Sequence, residues 1–195
     1  MNLTKKKQFR SLFRQKRNDL SCQQRNKLSY IICKKTMALP LFQESQRIAF
    51  YLAHDGEVDI KNLLNKALRR KKSCYLPTLQ TNQDYYLDFY LYHTENVLIK
   101  NRFGIEEPSL TQDKSIVITA LDLIFLPLVA FDKKGNRLGR GAGYYDRTLA
   151  SLQHSEKKPL LIGIAYEFQK VEKLPSEIWD IPLNLVVTEQ EVYYF

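Results

Sequence analysis

The stretch Arg47–Pro77, RIAFYLAHDGEVDIKNLLNKALRRKKSCYLP, decides the fold class. Its first part, Arg47–Ala53, is a β-type apolar run, ended by the loop His54-Asp55-Gly56-Glu57. Between Asp59 and Lys72, the apolar residues Ile60, Leu63, Leu64, Ala67 and Leu68 recur at i, i+3, i+4, i+7 and i+8, which makes one face of an amphipathic helix. Ser73–Pro77 then predicts a second, short strand. Strand, helix and strand in that order form a βαβ unit, which requires a parallel or mixed sheet.

The flanking segments extend this pattern. Downstream, Tyr85–Tyr92 predicts a partly exposed strand, and Asn101–Asp113, with Gly104 and Pro108, reads as loop. Leu123–Phe131 (LIFLPLVAF) is the most apolar run and predicts a central strand, with Pro127 expected to end or bulge its ladder. A helix from about Tyr144 to Leu152, a buried strand at Leu160–Tyr166 and a short strand at Leu185–Val187 complete the body. Upstream, residues 4–19 lack Gly and Pro and predict a helix. Ser21 followed by Gln24 predicts a capping box opening a second helix to about Met37, and Pro40 closes the segment. The expectation is one domain over residues 1–195. It has a three-layer α/β/α architecture with a mostly parallel or mixed sheet, and a basic helical pair (1–38) packed on its body.

A chain of 195 residues that is 44% hydrophobic is too apolar for disorder and long enough for a substantial core. No run of about 18 apolar residues occurs, and no apolar run follows the basic residues of Met1–Lys7, so neither a membrane span nor a secretory leader is expected. Cys22, Cys33 and Cys74 fit neither a disulfide framework nor a zinc pattern, which suits reduced thiols in a cytoplasmic protein. His54, His93 and His154 match no ligand spacing.

The net charge of +9 is unevenly placed. Residues 1–35 hold eleven Lys/Arg against one acid, Asp19, while the other 160 residues hold 19 basic and 20 acidic side chains. The N-terminal segment is therefore a cationic appendage on a neutral body, suited to a nucleic acid, an anionic membrane surface or a small polyanion. On the first helix Lys6, Arg10, Arg14 and Arg17 fall within roughly 80°, beside an apolar set of Phe9, Phe13 and Leu20, so the cations form a stripe and not a ring.

The loop Phe131–Asp146, FDKKGNRLGRGAGYYD, lies between a buried strand and a helix, where open α/β sheets bind ligands. Four of the seven glycines of the chain fall between Gly135 and Gly143. Alternating Gly139, Gly141 and Gly143 allow close backbone approach, successive N–H groups entering a helix make an anion cradle, and Arg137 and Arg140 add bidentate donors. The segment is neither a Walker loop nor a dinucleotide fingerprint. Phosphate binding and a plain strand–helix connection are the two readings open to it. Asp146 suits either Mg²⁺ bound with nucleotide phosphates or a first-turn aspartate favoured by the helix dipole.

The run Phe125-Leu126-Pro127…Phe131-Asp132…Gly135-Asn136-Arg137-Leu138-Gly139-Arg140-Gly141-Ala142-Gly143-Tyr144-Tyr145-Asp146-Arg147 resembles the signature of the 5-formyltetrahydrofolate cyclo-ligase (5,10-methenyltetrahydrofolate synthetase) family. The resemblance extends along the chain, through Lys6…Arg10, Tyr51-Leu52…Glu57, Phe103-Gly104-Ile105…Glu107-Pro108 and Asp180-Ile181-Pro182…Val186-Val187-Thr188-Glu189. It implies a ligase of folate one-carbon metabolism with a fold akin to sugar-phosphate isomerases and CoA transferases, using ATP and Mg²⁺ to close 5-formyltetrahydrofolate into 5,10-methenyltetrahydrofolate. By the same resemblance Lys6, Arg10, Arg137, Leu138, Gly139, Arg140, Gly141, Ala142, Gly143, Tyr144 and Tyr145 would bind ATP. Leu52, Glu57, Phe103, Arg140 and Tyr144 would bind the folate, Arg140 and Tyr144 would be catalytic, and Asp146 and Asp180 would hold Mg²⁺. The implied partners are these small molecules alone, for a monomer that engages neither nucleic acid nor membrane. Two departures stand out: Ala142, where many members have Gly or Lys, and Asn184, where Asp is common. The competing readings are a nucleic-acid binder that uses the cationic helices, and a nucleotide-free isomerase or acyl-transfer enzyme of similar fold.

Overall fold

A computed structural model describes residues 2–80, 85–109, 115–175 and 180–195. Helices α1 (Asn2–Asp19) and α2 (Cys22–Ala38) meet at Ser21. There the hydroxyl accepts from the Gln24 N–H at 3.2 Å, and Gln24 Oε1 accepts from the Ser21 N–H at 2.7 Å, so the capping box is formed. Pro40 does more than close this segment. It opens a short helix α3 (Pro40–Glu44), because its fixed φ and missing N–H suit a first helical position.

The rest of the chain runs β1 (Arg47–Ala49), α4 (Lys61–Arg69), β2 (Ser73–Leu79), β3 (Leu87–Leu91), β4 (Leu98–Lys100), β5 (Glu106–Pro108), β6 (Leu123–Pro127), β7 (Ala130–Asp132), β8 (Arg137–Leu138), α5 (Tyr144–Ala150), β9 (Leu160–Ile164), β10 (Lys170–Val171), β11 (Leu185–Val187) and β12 (Val192–Tyr194). Seven strands form the main sheet in the order β12-β11-β9-β6-β1-β2-β3. The inner pairs β1–β2, β1–β6, β6–β9 and β9–β11 are parallel, and the edge pairs β11–β12 and β2–β3 are antiparallel. This is the expected mixed sheet between helices.

Two expectations are corrected. Part of Asn101–Asp113 is not loop, since Glu106–Pro108 pairs antiparallel with Leu98–Lys100; Asp113 itself lies outside the described residues. The Leu123–Phe131 run is not one strand. It leaves the main sheet at Pro127, which lacks the N–H to continue the ladder, and Ala130–Asp132 joins a second sheet in the order β10-β7-β8.

Both faces of the main sheet are buried, and side chains alternate between them with the strand period of two. Ile48, Cys74, Leu76, Leu123, Phe125, Ile162, Ile164, Leu185 and Val187 pack on one side against Ile32, Cys33 and Phe42 of α2–α3 and Leu63, Leu64 and Ala67 of α4. Ala49, Ile124, Leu126, Leu161 and Val186 face the other side, against Leu149 of α5 and Leu152. Phe125 is fully buried between the rings of Phe42 and Phe50. Helix α1 belongs to neither layer. Phe9 and Phe13 dock it on Val129, Ala130, Leu138 and Leu174, beside the small sheet.

Candidate functional site

The parallel strands end on one side of the sheet, and a cleft of about 340 Å³ opens there. Tyr51, Leu52 and Glu57 follow β1, Pro77–Leu79 end β2, Pro127 ends β6, and Gly139–Asp146 close the far wall. A crevice at the carboxyl ends of parallel strands is where such folds bind ligands. Asp132 positions the glycine-rich wall. Its buried carboxylate accepts from the N–H groups of Lys134, Asn136 and Leu174 and from the Asn136 amide, which fixes the turn that leads into β8 and the loop beyond. At Gly141, φ is +116°, and a Cβ there would lie 3.2 Å from Arg10 Cζ. Both the backbone angle and the approach of the guanidinium require glycine. Ala142 is not among the residues of positive φ, so its methyl is accommodated.

Cations meet in this wall in three ways. Arg10, half-buried on α1, donates Nε to the Gly139 carbonyl at 2.9 Å; burial lowers its pKa, and nearby Asp146 opposes the shift. Arg137 has a side chain only 5% exposed and donates Nη1 to Asp146 Oδ1 at 2.8 Å, while its Nε and Nη2 are buried without a hydrogen-bond partner. Arg140 reaches across the cleft, with Nε and Nη2 on Glu57 Oε1 at 2.9 and 2.8 Å and Nη2 also on the His54 carbonyl at 2.8 Å. Glu57 is buried, and its Oε2 accepts the His54 N–H at 3.2 Å. Burial raises the Glu57 pKa, and the charges of Arg140 and Arg17 pull it back down.

Aromatic rings line the mouth. Tyr144 is buried at the start of α5, with its hydroxyl hydrogen-bonded to the Arg102 guanidinium, and the rings of Tyr85 and Phe103 lie 5.7 and 5.8 Å away. Burial raises the pKa of the Tyr145 hydroxyl well above its usual range. The cleft thus joins an apolar and aromatic interior to one buried carboxylate and a glycine-arginine wall.

The family model described as the 5-formyltetrahydrofolate cyclo-ligase family matches residues 2–189. The chain belongs to this family. It is 39% identical over 183 residues to 5-formyltetrahydrofolate cyclo-ligase of Haemophilus influenzae, covering 94% of this chain and 97% of that protein. The Escherichia coli K12 cyclo-ligase is also 39% identical, over 93% of this chain and 99% of its own length. Among solved structures, 5,10-methenyltetrahydrofolate synthetase of Aquifex aeolicus superposes with a TM-score of 0.81 at 36% identity, covering 97% of this chain and 92% of that one.

Within this cyclo-ligase fold, Leu52, Glu57, Phe103, Arg137, Gly139, Arg140, Gly141, Ala142, Gly143, Tyr144, Tyr145 and Asp146 all line the one cleft. Arg10 touches its wall from α1, and Lys6 lies half-buried one turn earlier. Leu138 does not line the cleft, because its alternation in β8 turns it towards Phe13 and Leu174. Asp180 is not brought to Asp146. It lines a second pocket with Leu160, Leu161 and Asn184, where β9 and β11 begin, at the opposite ends of the parallel strands. Asn184 is there too, and its Oδ1 accepts the Leu161 N–H at 2.8 Å, a sheet-anchoring bond. Among the described residues no group of three or more His, Cys, Asp or Glu is placed to hold a metal, and no helix is long and apolar enough to cross a membrane.

Some contacts around the site carried no clear mark in the sequence. Arg14 and Arg17 both bind Asp55, at 3.2 and 3.1 Å, so with Arg10 most of the cationic stripe is engaged by the body. The stripe itself was the available signal, since one that continues the docking face cannot be wholly solvated. Pro77–Leu79 and Arg102 carried none, because only the sheet order brings Pro77–Leu79 to the cleft and only the β4–β5 hairpin brings Arg102 to the Tyr144 hydroxyl.

Proposed function

We propose that the protein closes 5-formyltetrahydrofolate to 5,10-methenyltetrahydrofolate at the expense of ATP, with Mg²⁺, releasing ADP and phosphate. The observation that carries this reading is Arg137. A buried guanidinium with two unpartnered nitrogens is costly, and in a cleft wall built for anions the missing partner is a phosphate. The loop Gly139–Tyr145, together with Arg137 and with Arg10 and Lys6 from α1, takes the triphosphate. Leu52, Glu57, Phe103 and Tyr144 take the folate. Glu57 Oε2, which accepts only the His54 N–H, retains a lone pair for an N–H donor of a pterin.

In the reaction, the formyl oxygen attacks the γ-phosphorus and ADP leaves. The second folate nitrogen then attacks the resulting imidate carbon and gives up its proton, and the former formyl oxygen departs with phosphate, which takes that proton. An amide-like oxygen leaves poorly until it is phosphorylated, so the task of the protein is alignment and charge neutralisation. Arg137 and Arg140 face the charge that develops on the transferring group, and Tyr144 packs beside the formyl group.

A cation fits beside Asp146, whose side chain is 43% exposed in the first turn of α5, because Mg²⁺ is held by one or two carboxylates plus nucleotide phosphates. Asp180 does not fit the same ion. When bound, Mg²⁺ neutralises charge on the β- and γ-phosphates. The test is direct: mix protein, 5-formyltetrahydrofolate, Mg²⁺ and ATP, and follow methenyl-folate absorbance. A rise that needs ATP is expected, and no rise above the ATP-free control overturns the proposal.

A further inference from the structure

Arg17 stands outside the machinery described so far. It lies on α1 two turns beyond Arg10, on the same face, and is only 1% exposed. Removing a guanidinium from water costs several kcal/mol unless its donors are satisfied. Here Nη2 donates to Asp55 Oδ2 at 3.1 Å, while Nε and Nη1 are buried without a hydrogen-bond partner. An apolar side chain of similar volume would dock α1 without that penalty. The charge therefore needs a reason other than packing.

The turn it grips supplies one. Asp55 has φ +54° and Gly56 φ +72°, both left-handed, and a Cβ on Gly56 would lie 3.2 Å from Arg17 Cβ. Non-glycine residues are uncommon there, and Asp, which tolerates the region better than most, stays in it where its side chain is held. Asp55 is held in it by two ion pairs, one to the buried Arg17 and one to the exposed Arg14. The next residue after Gly56 is Glu57, the buried carboxylate of the cleft, and the turn also presents the His54 N–H and carbonyl that contact Glu57 and Arg140.

We propose that Arg17 is a positioning residue, which by holding Asp55 winds the His54–Glu57 turn so that the Glu57 carboxylate stands in the cleft to receive the folate. This rests on the assignment of Glu57 to the folate made above. The charged and titratable groups around Glu57 are Arg17 from α1, Arg140 from the glycine-rich wall, Tyr145 from α5, and Tyr51, His54 and Asp55 of its own segment. Arg17 also supplies positive charge that lowers the Glu57 pKa, against the larger effect of burial.

The experiment compares wild type with Arg17→Met, Arg17→Lys and Asp55→Asn, with Arg10→Ala as contrast. The readouts are KM for 5-formyltetrahydrofolate and for ATP, kcat, and calorimetric binding of 5-formyltetrahydrofolate without ATP across pH. A turn displaced by about 1 Å costs up to 10²-fold in what it positions, so Arg17→Met and Asp55→Asn are expected to weaken folate binding about tenfold or more. Their KM for ATP stays within about twofold, which is about 0.4 kcal/mol, since no phosphate contact is lost. For Arg17→Met the acid limb of folate binding moves to higher pH, and Arg17→Lys, which keeps the charge, recovers part of the affinity and of the limb. Arg10→Ala shows the reverse split, with ATP affected and folate largely spared. Folate binding unchanged in folded Arg17→Met, or loss of both ligands alike, overturns the positioning role. If Arg17→Met fails to fold, Asp55→Asn, which keeps the side-chain shape, decides the matter by the same two outcomes. Wild type that binds no 5-formyltetrahydrofolate overturns the functional assignment itself, and the positioning role with it.

Discussion

Removing Arg140 tests how the cleft balances its charges. In Arg140→Ala the Glu57 carboxylate loses a charge-assisted hydrogen bond at 2.9 Å and a second ion-pair contact at 2.8 Å, and remains buried beside the single N–H of His54. Breaking a buried ion pair by removing one partner costs about 3–5 kcal/mol. The Arg140 side chain is 33% exposed, which screens part of the interaction, so about 2–3 kcal/mol is expected at neutral pH. For a chain of this length each 1 kcal/mol shifts Tm by about 2–4 °C, giving a fall of about 4–12 °C. The loss must depend on pH. The folded pKa of Glu57 lies above 4.5 because burial disfavours the ionised form, so its stabilising effect is full below that value and is lost as pH rises through the folded pKa. Without Arg140 that pKa climbs further. The variant should therefore match wild type most closely near pH 4.5 and fall away from it as pH rises. Adding Glu57→Gln to Arg140→Ala removes the orphaned charge and should restore most of the lost Tm. Thermal unfolding by circular dichroism from pH 4.5 to 8 reads all of this. An equal loss at every pH, or no rescue by Glu57→Gln, refutes the reasoning.

Three further changes probe other parts of the arrangement. Arg137→Met removes two unsatisfied buried donors and one ion pair, so stability should hold within about 1 kcal/mol of wild type, a Tm shift of about 2–4 °C at most, while KM for ATP rises; a large fall in Tm with ATP binding intact would contradict the anion-site reading. Gly141→Ala places a methyl at φ +116° and 3.2 Å from Arg10 Cζ, which should cost about 1–3 kcal/mol and weaken ATP binding, as seen by chemical denaturation and nucleotide titration. Phe125→Ala opens a cavity between Phe42 and Phe50 at the centre of the sheet and should cost about 3–5 kcal/mol in urea unfolding, with folate and ATP affinities of the folded fraction unchanged.

The architecture was legible where local periodicity and local burial agree. Ile60–Leu68 presented a helical face because α4 has one side on the core, and Leu185–Val187 read as a strand because both its faces are apolar. Reading failed where an element depends on a distant partner. Leu98–Lys100 and Glu106–Pro108 are strands only because they pair with each other, and neither alternates strongly enough to declare it. Pro127 announced a break, yet nothing local said that Ala130–Asp132 would enter another sheet.

The same division runs through the site. By itself the sequence determined the glycine-arginine loop, its place between strand and helix, the capping box at Ser21 and the cationic side of α1, because each depends on chemistry within a few residues. Tertiary structure alone decided the pairings across the chain: Arg140 with Glu57, Arg17 with Asp55, Arg10 with Gly139, and Asp180 at the far end from Asp146. Charge is written residue by residue, but the partner that neutralises it is chosen by how the strands are ordered. A stripe of cations on an isolated helix is simply hydrated; docked through Phe9 and Phe13, it becomes part of the wall of a cleft.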